Sequence, residues 1–451
     1  MSGKKVVILD GCGPLDQDLA PVLGALSHVL RQDDSRVETF PLHAMKLAHC
    51  LGCFGCWLKT PGMCVEDDAG RQIAKAVIQS DTTVFYTPVT FGGYSPELKK
   101  ILDRFIQLIS PYFQMDHGEV HHPPRYAHRP RLVMLGVQRH PNSNEAHIFK
   151  TLAGRNAINF HPPTYAAEVV LATDPADTLQ RRFEVLLARS DALPFGESAA
   201  SLMPPVVCGV AADPNGPRRA LLIVGSPKTN SPSTSSILGS YLLERLGDSG
   251  WETESLTLRA ALSREEGEAA LLASVERAGL ILLAFPLYAD ALPFLVTKVL
   301  AVMAAHRRAS PDPPPQRLVA VVNSGFPETH QNSVALAICQ EFAAQSGIAW
   351  GGGLALGGGG MIGEQPLTVR KRSGPPVKHV IRALDLTAAA LCEGYPVPAQ
   401  AVRLMAKNPV PFMPFALWRW IYIRLGGKGF EREAARNGVS KDRLLDRPYE
   451  A

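Results

Sequence analysis

Short apolar runs alternate along this chain with longer stretches in which apolar positions recur every three to four residues. In the first half, the runs at 5–9, 36–40, 82–87 and 131–137 predict strands. The periodic stretches near 16–31, 68–79, 96–109 and 143–157 predict helices, and a last strand-helix unit is expected near 165–190. The second half repeats the pattern. VVILDG (6–11) is mirrored by LLIVGS (221–226), TVFYTPVTFGGYSPELKKILDRF (83–105) by ILLAFPLYADALPFLVTKVLAVM (281–303), and RLVMLGV (131–137) by RLVAVVN (317–323). The offset shrinks from 215 to 198 to 186 because the first half carries the longer loops. Strands alternating with helices imply crossover connections and parallel pairing, so each half reads as a doubly wound α/β domain with a five-stranded parallel sheet.

These domains are placed at 1–195 and 218–395, with 396–451 as an aromatic and basic tail. Residues 196–217, rich in prolines and small residues and ending in Asp213-Pro214-Asn215-Gly216-Pro217, read as a linker. Ser263-Arg264-Glu265-Glu266 has the form of a capping box opening a crossover helix.

Composition agrees with this layout. The 451 residues, 46% hydrophobic and 20% charged, supply core for two or three domains. A net charge of +4 without a basic stripe argues against a nucleic-acid partner. The first apolar run, Val6 to Leu9, is too short for a signal peptide, and no 18-residue apolar segment exists to span a bilayer. A cytoplasmic location is expected, where the eight cysteines serve as thiols or metal ligands in preference to disulfides.

The stretch LLIVGSPKTNSPSTSS (221–236) carries the clearest binding signal. A buried strand breaks at Gly225 into a loop with seven hydroxyls before a helix begins, so backbone N–H groups and the positive helix end converge on one spot. Ser226, Ser231, Ser233, Thr234 and Ser235 can add hydroxyl donors there, Asn230 an amide and Lys228 a charge. Glycine at 225 is expected because the chain must turn tightly off the strand. The loop fits neither the NTPase P-loop nor G-x-G-x-x-G. The matching loop of the first half, Gly11-Cys12-Gly13-Pro14-Leu15-Asp16-Gln17-Asp18, places carboxylates where they satisfy the helix dipole and repel a phosphate.

Strand, Gly-Ser-Pro-Lys, hydroxyl cluster and helix resemble the phosphate loop of the flavodoxin-like NAD(P)H-dependent FMN reductases. The resemblance implies two tandem flavodoxin-like domains, with FMN bound non-covalently in the second. It implies further flavin contacts from Pro286, Leu287, Tyr288 and Ala289, the counterpart of the loop Thr87 to Pro96, and from Asn323, Ser324, Gly325 and Phe326. Tyr288 is equally read as a stacking group or as an ordinary loop aromatic. Ser95-Pro96 reads as an N-cap and N1 pair. The glycine-rich run Trp350 to Met361 lets backbone approach a ring or a partner closely, or is a surface bend.

Cys50, Cys53, Cys56 and Cys64 lie within 15 residues among glycines and prolines. Their spacing resembles that of iron-sulfur flavoproteins, which implies a [4Fe-4S] cluster beside FMN; zinc and free or structural thiols remain open readings. The insertion 117–130, with His117, His121, His122 and His128, reads as a solvated loop or interdomain clamp. The tail NPVPFMPFALWRWIYIRLGGKGF (408–430) can lie in a membrane interface or fold back over a face of either domain or a second chain.

The reaction implied is hydride transfer from NAD(P)H to FMN and delivery of electrons to a quinone, a free flavin or a protein acceptor, with no side-chain acid or base required. The fused halves are expected to form an intramolecular pseudo-dimer in which the 88–95 loop or the cysteine loop faces the flavin, and a homo-oligomer is a further option. The competing class is an iron-sulfur flavoprotein that carries electrons or senses redox state without catalysis. An assembly factor built on the same fold is a third.

Overall fold

The computed structural model describes residues 3–32, 34–193, 218–228, 231–370, 377–408, 410 and 413–450. The linker expected at 196–217 and the loop residue Asn230 lie outside the described residues. Two compact units emerge, one comprising Met1–Ala199 with Trp420–Ala451 and the other Ala200–Arg419.

In the first unit β1 (Lys5–Asp10), β2 (Arg36–Pro41), β3 (Thr82–Pro88), β6 (Arg131–Gln138) and β7 (Tyr165–Leu171) form a parallel sheet in the order β2-β1-β3-β6-β7. The short strands β4 (Gln114–Asp116) and β5 (Glu119–His121) make a separate antiparallel hairpin. In the second unit β8 (Arg219–Val224), β9 (Glu252–Thr257), β10 (Leu280–Pro286), β11 (Arg317–Asn323) and β12 (Ala349–Leu356) form the same sheet, β9-β8-β10-β11-β12 read from its other edge. In both units the first strand lies between the second and the third. Chain direction across the sheet therefore reverses beside that strand, which is the topological switch point of a flavodoxin-like fold.

The helices of the first unit are α1 (Ala20–Gln32), α2 (Gly55–Leu58), α3 (Ala69–Ile78), α4 (Pro96–Leu102), α5 (Ser143–Phe160) and α6 (Ala176–Ala188). Those of the second are α7 (Thr234–Asp248), α8 (Gly267–Arg277), α9 (Phe294–Ala309), α10 (Ser333–Gln345), α11 (Lys378–Cys392) and α12 (Ala399–Met405). Inner strands covered on both faces must be apolar throughout, and β6, β10 and β11 are buried along almost their whole length. On one face of the second sheet Leu222, Leu282, Val319, Val321 and Leu354 pack with Leu238 and Leu242 of α7 and Leu384 of α11. Each fully buried leucine of this kind contributes about 1.5–3 kcal/mol.

Three local expectations are corrected. The helix predicted at 96–109 ends at Leu102 and tightens to a 3₁₀ turn over Asp103–Leu108. Ser263 forms no capping box: its hydroxyl donates back to the Ala260 carbonyl, and α8 starts later, at Gly267, without a side-chain cap. The histidine insertion is not a solvated loop throughout. Glu119 and His121 of its hairpin are buried, because Arg155 donates to Glu119 at 2.6 Å and His121 contacts the same carboxylate at 3.1 Å. A charge removed from water needs such partners.

Beyond Trp420 the helix α13 (Phe415–Arg436) packs within the first unit. Phe430 meets Trp57 edge-on at 5.0 Å between ring centroids, Tyr422 lies 4.9 Å from Phe113, and Gly427 lets the helix backbone press on Tyr112. Farther on, the Arg125 guanidinium donates to the carbonyls of Leu444 and Asp446 at 2.8 Å.

Asp68 pins the cysteine loop from its other side. As N-cap of α3 its carboxylate accepts from Gly70 N–H at 2.9 Å, and it also accepts from Ala48 N–H and Arg104 Nη1 at 2.7 Å. Burial would raise its pKa, but Arg104 and the amide donors outweigh burial and hold it below the usual carboxylate range. A depressed folded-state pKa gives stability that is present above the unfolded value, about 3.9, and lost as pH falls through the folded value. Asp68→Asn should therefore destabilise by about 3 kcal/mol at pH 7, leaving Arg104 buried without its anion. The gap to wild type in urea unfolding should persist at pH 5 and narrow toward pH 3; an equal gap at pH 7 and pH 3 would show that charge plays no part.

Candidate functional site

The site is built at the C-terminal ends of β8, β10 and β11. β8 ends at Val224, and Gly225 N–H donates to the Ala284 carbonyl of β10 at 2.8 Å. A Cβ on Gly225 would sit 2.2 Å from Val296 Cγ2 and 2.9 Å from Phe285 Cβ. Gly225 is absent from the positive-φ glycines, so close approach to α9, and not the tight turn expected from sequence, is what demands glycine.

The hydroxyl cluster is placed at the start of α7 as expected, but most of it holds the site together. Ser233 is the N-cap: its Oγ accepts from Ser236 N–H at 3.1 Å while Ser236 Oγ accepts from Ser233 N–H at 2.9 Å. Thr234 donates to the Gly359 carbonyl at 3.0 Å and Ser235 to Asn323 Oδ1 at 2.7 Å. Ser226 is buried and accepts from Lys228 N–H. Ser231 and Lys228 face outward, and both contact one carboxylate oxygen of Glu364, at 2.9 Å and 3.1 Å. These two contacts, Ser231 foremost, hold the Glu364 carboxyl below its ordinary range.

Pro286, Leu287, Tyr288 and Ala289 form a half-buried second loop. Leu287 N–H donates to the Asn323 carbonyl at 2.8 Å, and Tyr288 and Ala291 exchange two hydrogen bonds of 3.0 Å around a tight turn. Its two central residues, Ala289 and Asp290, have φ of 46° and 57°. The matching loop of the first unit makes the same turn, Thr90 with Gly93, around Phe91 and Gly92 at φ 54° and 83°. Ser95 there caps α4 by accepting from Leu98 N–H at 3.2 Å, with Pro96 first in the helix, as read from sequence.

In the third loop Asn323 and Ser324 are buried, Phe326 is half-buried and Gly325 is exposed. The glycine run after β12 packs against this loop: Gly359 N–H donates to the Ser324 carbonyl at 2.8 Å and Gly358 N–H to that of Phe326 at 2.7 Å. A Cβ at Gly357 would lie 2.3 Å from the Pro327 carbonyl oxygen. The run thus brings two loops of one unit together. Sequence reasoning missed Glu364 and Arg259, the latter donating to the Pro227 carbonyl at 3.0 Å behind the phosphate loop. Neither belongs to a local motif: Glu364 stands 136 positions from Lys228 and Arg259 stands 32 from Pro227.

The first unit's equivalent loop is closed by its own acids. Asp16 accepts from Gly13 N–H at 2.7 Å, Asp10 from Cys12 N–H at 3.0 Å, and Arg139 bridges Asp16 and Asp18 at 2.8 Å and 2.7 Å. Burial, and then Asp10, raise the Cys12 thiol far above its ordinary pKa.

The four-thiolate metal centre expected at Cys50, Cys53, Cys56 and Cys64 is not supported by the arrangement of their side chains. Among the described residues no three or more His, Cys, Asp or Glu side chains are arranged to hold a metal ion. Two of the thiols turn to their own loop: Cys50 Sγ accepts from Gly52 N–H and Cys53 Sγ from Gly55 N–H, each at 3.4 Å. Burial pushes the Cys50 thiol up to about 12 and Cys56 well above its usual value, and the neighbouring thiols add to both shifts. The seven described cysteines form no disulfide. Trp57 beside them is a buried packing residue whose indole donates to the carbonyls of Ile106 and Ile109 at 3.1 Å. Also among the described residues, no helix is long and apolar enough to cross a membrane.

Two outcomes follow. Gly225→Ala should lower stability by about 1–3 kcal/mol through overpacking, read as a shifted urea midpoint; an unchanged midpoint would refute the contact argument. Iodoacetamide at neutral pH should alkylate exposed Cys53 well before buried Cys56, read by peptide mass spectrometry, and a reversed order would contradict the burial described.

No curated protein matches the chain. Among solved structures it is similar to an NAD(P)H:quinone oxidoreductase from Methanothermobacter marburgensis, at 15% identity over 41% of this chain and 96% of that one, with a TM-score of 0.34. It is also similar to an FMN-dependent NADH-azoreductase from Bacillus anthracis str. Ames Ancestor in complex with FMN, at 13% identity over 39% of this chain and 99% of that one, with a TM-score of 0.27. Residues 21–169 match the sequence model of the NADPH-dependent FMN reductase family.

Proposed function

We propose that the chain is an FMN-dependent oxidoreductase that draws reducing equivalents from NAD(P)H and passes them to a quinone, a free flavin or a protein acceptor, with FMN held by the second unit. The observation that carries this reading is the Glu364 carboxylate accepting from Lys228 and Ser231 ahead of α7, an acid drawn to the loop read from sequence as a phosphate cradle. A carboxylate is a fair stand-in for phosphate oxygens, because both accept from cationic and hydroxyl donors at a helix N-terminus. The family match over 21–169 lies in the first unit and supports the class of chemistry, while the choice of the second unit rests on its loop.

Lys228 and Ser231 would hold the phosphate, with Ser226 and, outside the described residues, Asn230 close by in sequence. Ser233 fixes the start of α7, while Thr234 and Ser235 lock that start to the third loop, so the donors are set before a ligand arrives. The half-buried residues Pro286 to Ala289, with Asn323 to Phe326, would line the ring, and Tyr288 would supply an aromatic edge. Bound FMN supplies two-electron chemistry between NAD(P)H and an acceptor, so the side chains are asked to position and to exclude water, not to transfer protons. The first unit, its loop closed by Asp16 and Arg139, is not assigned a flavin.

The purified chain should bind a single FMN and lose its visible flavin absorbance on anaerobic addition of NADPH. Lys228→Ala should weaken FMN by about tenfold, some 1.4 kcal/mol, as expected for one charge-assisted contact at an exposed site. Full affinity in Lys228→Ala would put the flavin elsewhere. Reduction by a partner protein but never by NADPH or NADH would make the chain a carrier and not an enzyme.

A further inference from the structure

Glu364 lies outside the loops that follow β8, β10 and β11, on the segment after β12, yet it takes the two outward-facing donors of the loop after β8. It follows a 3₁₀ turn over Gly359–Ile362 and then Gly363, whose φ of 71° redirects the chain toward Lys228. The turn is anchored at its start, where Gly359 is bonded to Thr234 and to Ser324, so the carboxylate is delivered from a fixed base and not by a wandering side chain alone.

The first unit shows what a permanent arrangement looks like. There the blocking carboxylate, Asp16, is three residues from the amide it caps and is clamped by Arg139, which also grips Asp18. Glu364 differs in each respect. It comes from a distant segment, its side chain is 63% exposed, and it makes two single contacts to a lysine and a serine that are themselves reachable by water. Exposed ion pairs of that kind are screened and exchange readily. A phosphate monoester, with close to two charges and three acceptor oxygens, can offer Lys228, Ser231 and the helix N-terminus more than one carboxylate does.

We propose that Glu364 is a built-in competitor for the phosphate of the flavin, so that it sets the affinity of the second unit for FMN and makes that affinity depend on the phosphate. This rests on the reading that FMN binds at this loop. Displacement frees one carboxylate to water and adds one phosphate to the same donors, with no change in the covalent structure of either. The residue therefore acts as a specificity determinant: a ligand without phosphate leaves Glu364 where it is, and a ligand with phosphate has to outbid it.

The test is a fluorescence-quenching titration of the full chain with FMN and, separately, riboflavin, on wild type, Glu364→Gln, Lys228→Ala and the double variant. Glu364→Gln keeps the shape and removes the charge. FMN should bind it about tenfold more tightly at low salt, with the gain shrinking as salt is added, while riboflavin binding changes by less than twofold. The gain should shrink in the Lys228→Ala background, where only Ser231 is left to compete for. Equal tightening for both ligands would make Glu364 a steric obstacle and overturn the proposal. Unchanged FMN affinity in Glu364→Gln beside weakened affinity in Lys228→Ala would overturn it while leaving the binding site intact. FMN binding to neither wild type nor Glu364→Gln would overturn both the proposal and the reading beneath it.

Discussion

The position just ahead of the helix that follows the first strand attracts negative charge in each unit, and the way that charge is supplied separates the two halves. Unsatisfied N–H groups at a helix start, with the positive end of the peptide dipoles, make such a position unfavourable to leave without an acceptor. In the first unit Asp16 stands at the helix entry, turns its carboxylate back onto Gly13 N–H and is neutralised by Arg139, which commits the loop. In the second, the N-cap is a serine, the local hydroxyls bind one another or neighbouring loops, and the negative charge arrives from Glu364. One fold thus presents a closed and an exchangeable version of the same electrostatic problem.

Packing explains why the two versions look alike around that point. Gly11 and Gly225 both end a first strand, and a Cβ on either would collide with the helix after the third strand: with Leu98 Cβ at 2.7 Å in one unit and with Val296 Cγ2 at 2.2 Å in the other. Each glycine also donates to the strand alongside, to Tyr86 at 2.8 Å and to Ala284 at 2.8 Å. Close approach there brings the first and second loops onto one spot, so the loop chemistry can diverge while the frame under it stays fixed.

What could be read from sequence was what is local. Strand and helix periods, the Ser95-Pro96 cap and the Gly-Ser-Pro-Lys loop each declare themselves within a few residues, and the internal repeat predicted a like five-stranded parallel sheet in each half. What could not be read depends on partners far apart in the chain. Arg104 reaches Asp68 across 36 positions and Glu364 reaches Ser231 across 133. The cysteines show the opposite failure: their spacing is a strong local sign, yet spacing says nothing of where each sulfur points. The backbone of the loop turns Gly52 and Gly55 amides onto two of them and buries two of the thiols.

The turn after the third strand carries the argument one step further. Left-handed backbone costs an L-residue about 1–2 kcal/mol, and glycine almost nothing. The first unit relieves half of that cost by placing Gly92 at the second central position, whereas the second unit holds both Ala289 and Asp290 in this region. Retained strain of this kind needs surroundings that over-determine it, and here the flanking Leu287 amide is tied to Asn323 and the turn closes on two mutual hydrogen bonds. The unit that bears the costlier turn is also the unit whose phosphate loop is not locked by its own acids. The strained turn, the Glu364 carboxylate and a loop without acids of its own therefore coincide at the C-terminal ends of β8 and β10, whereas the first unit has relaxed the corresponding turn and sealed the corresponding loop.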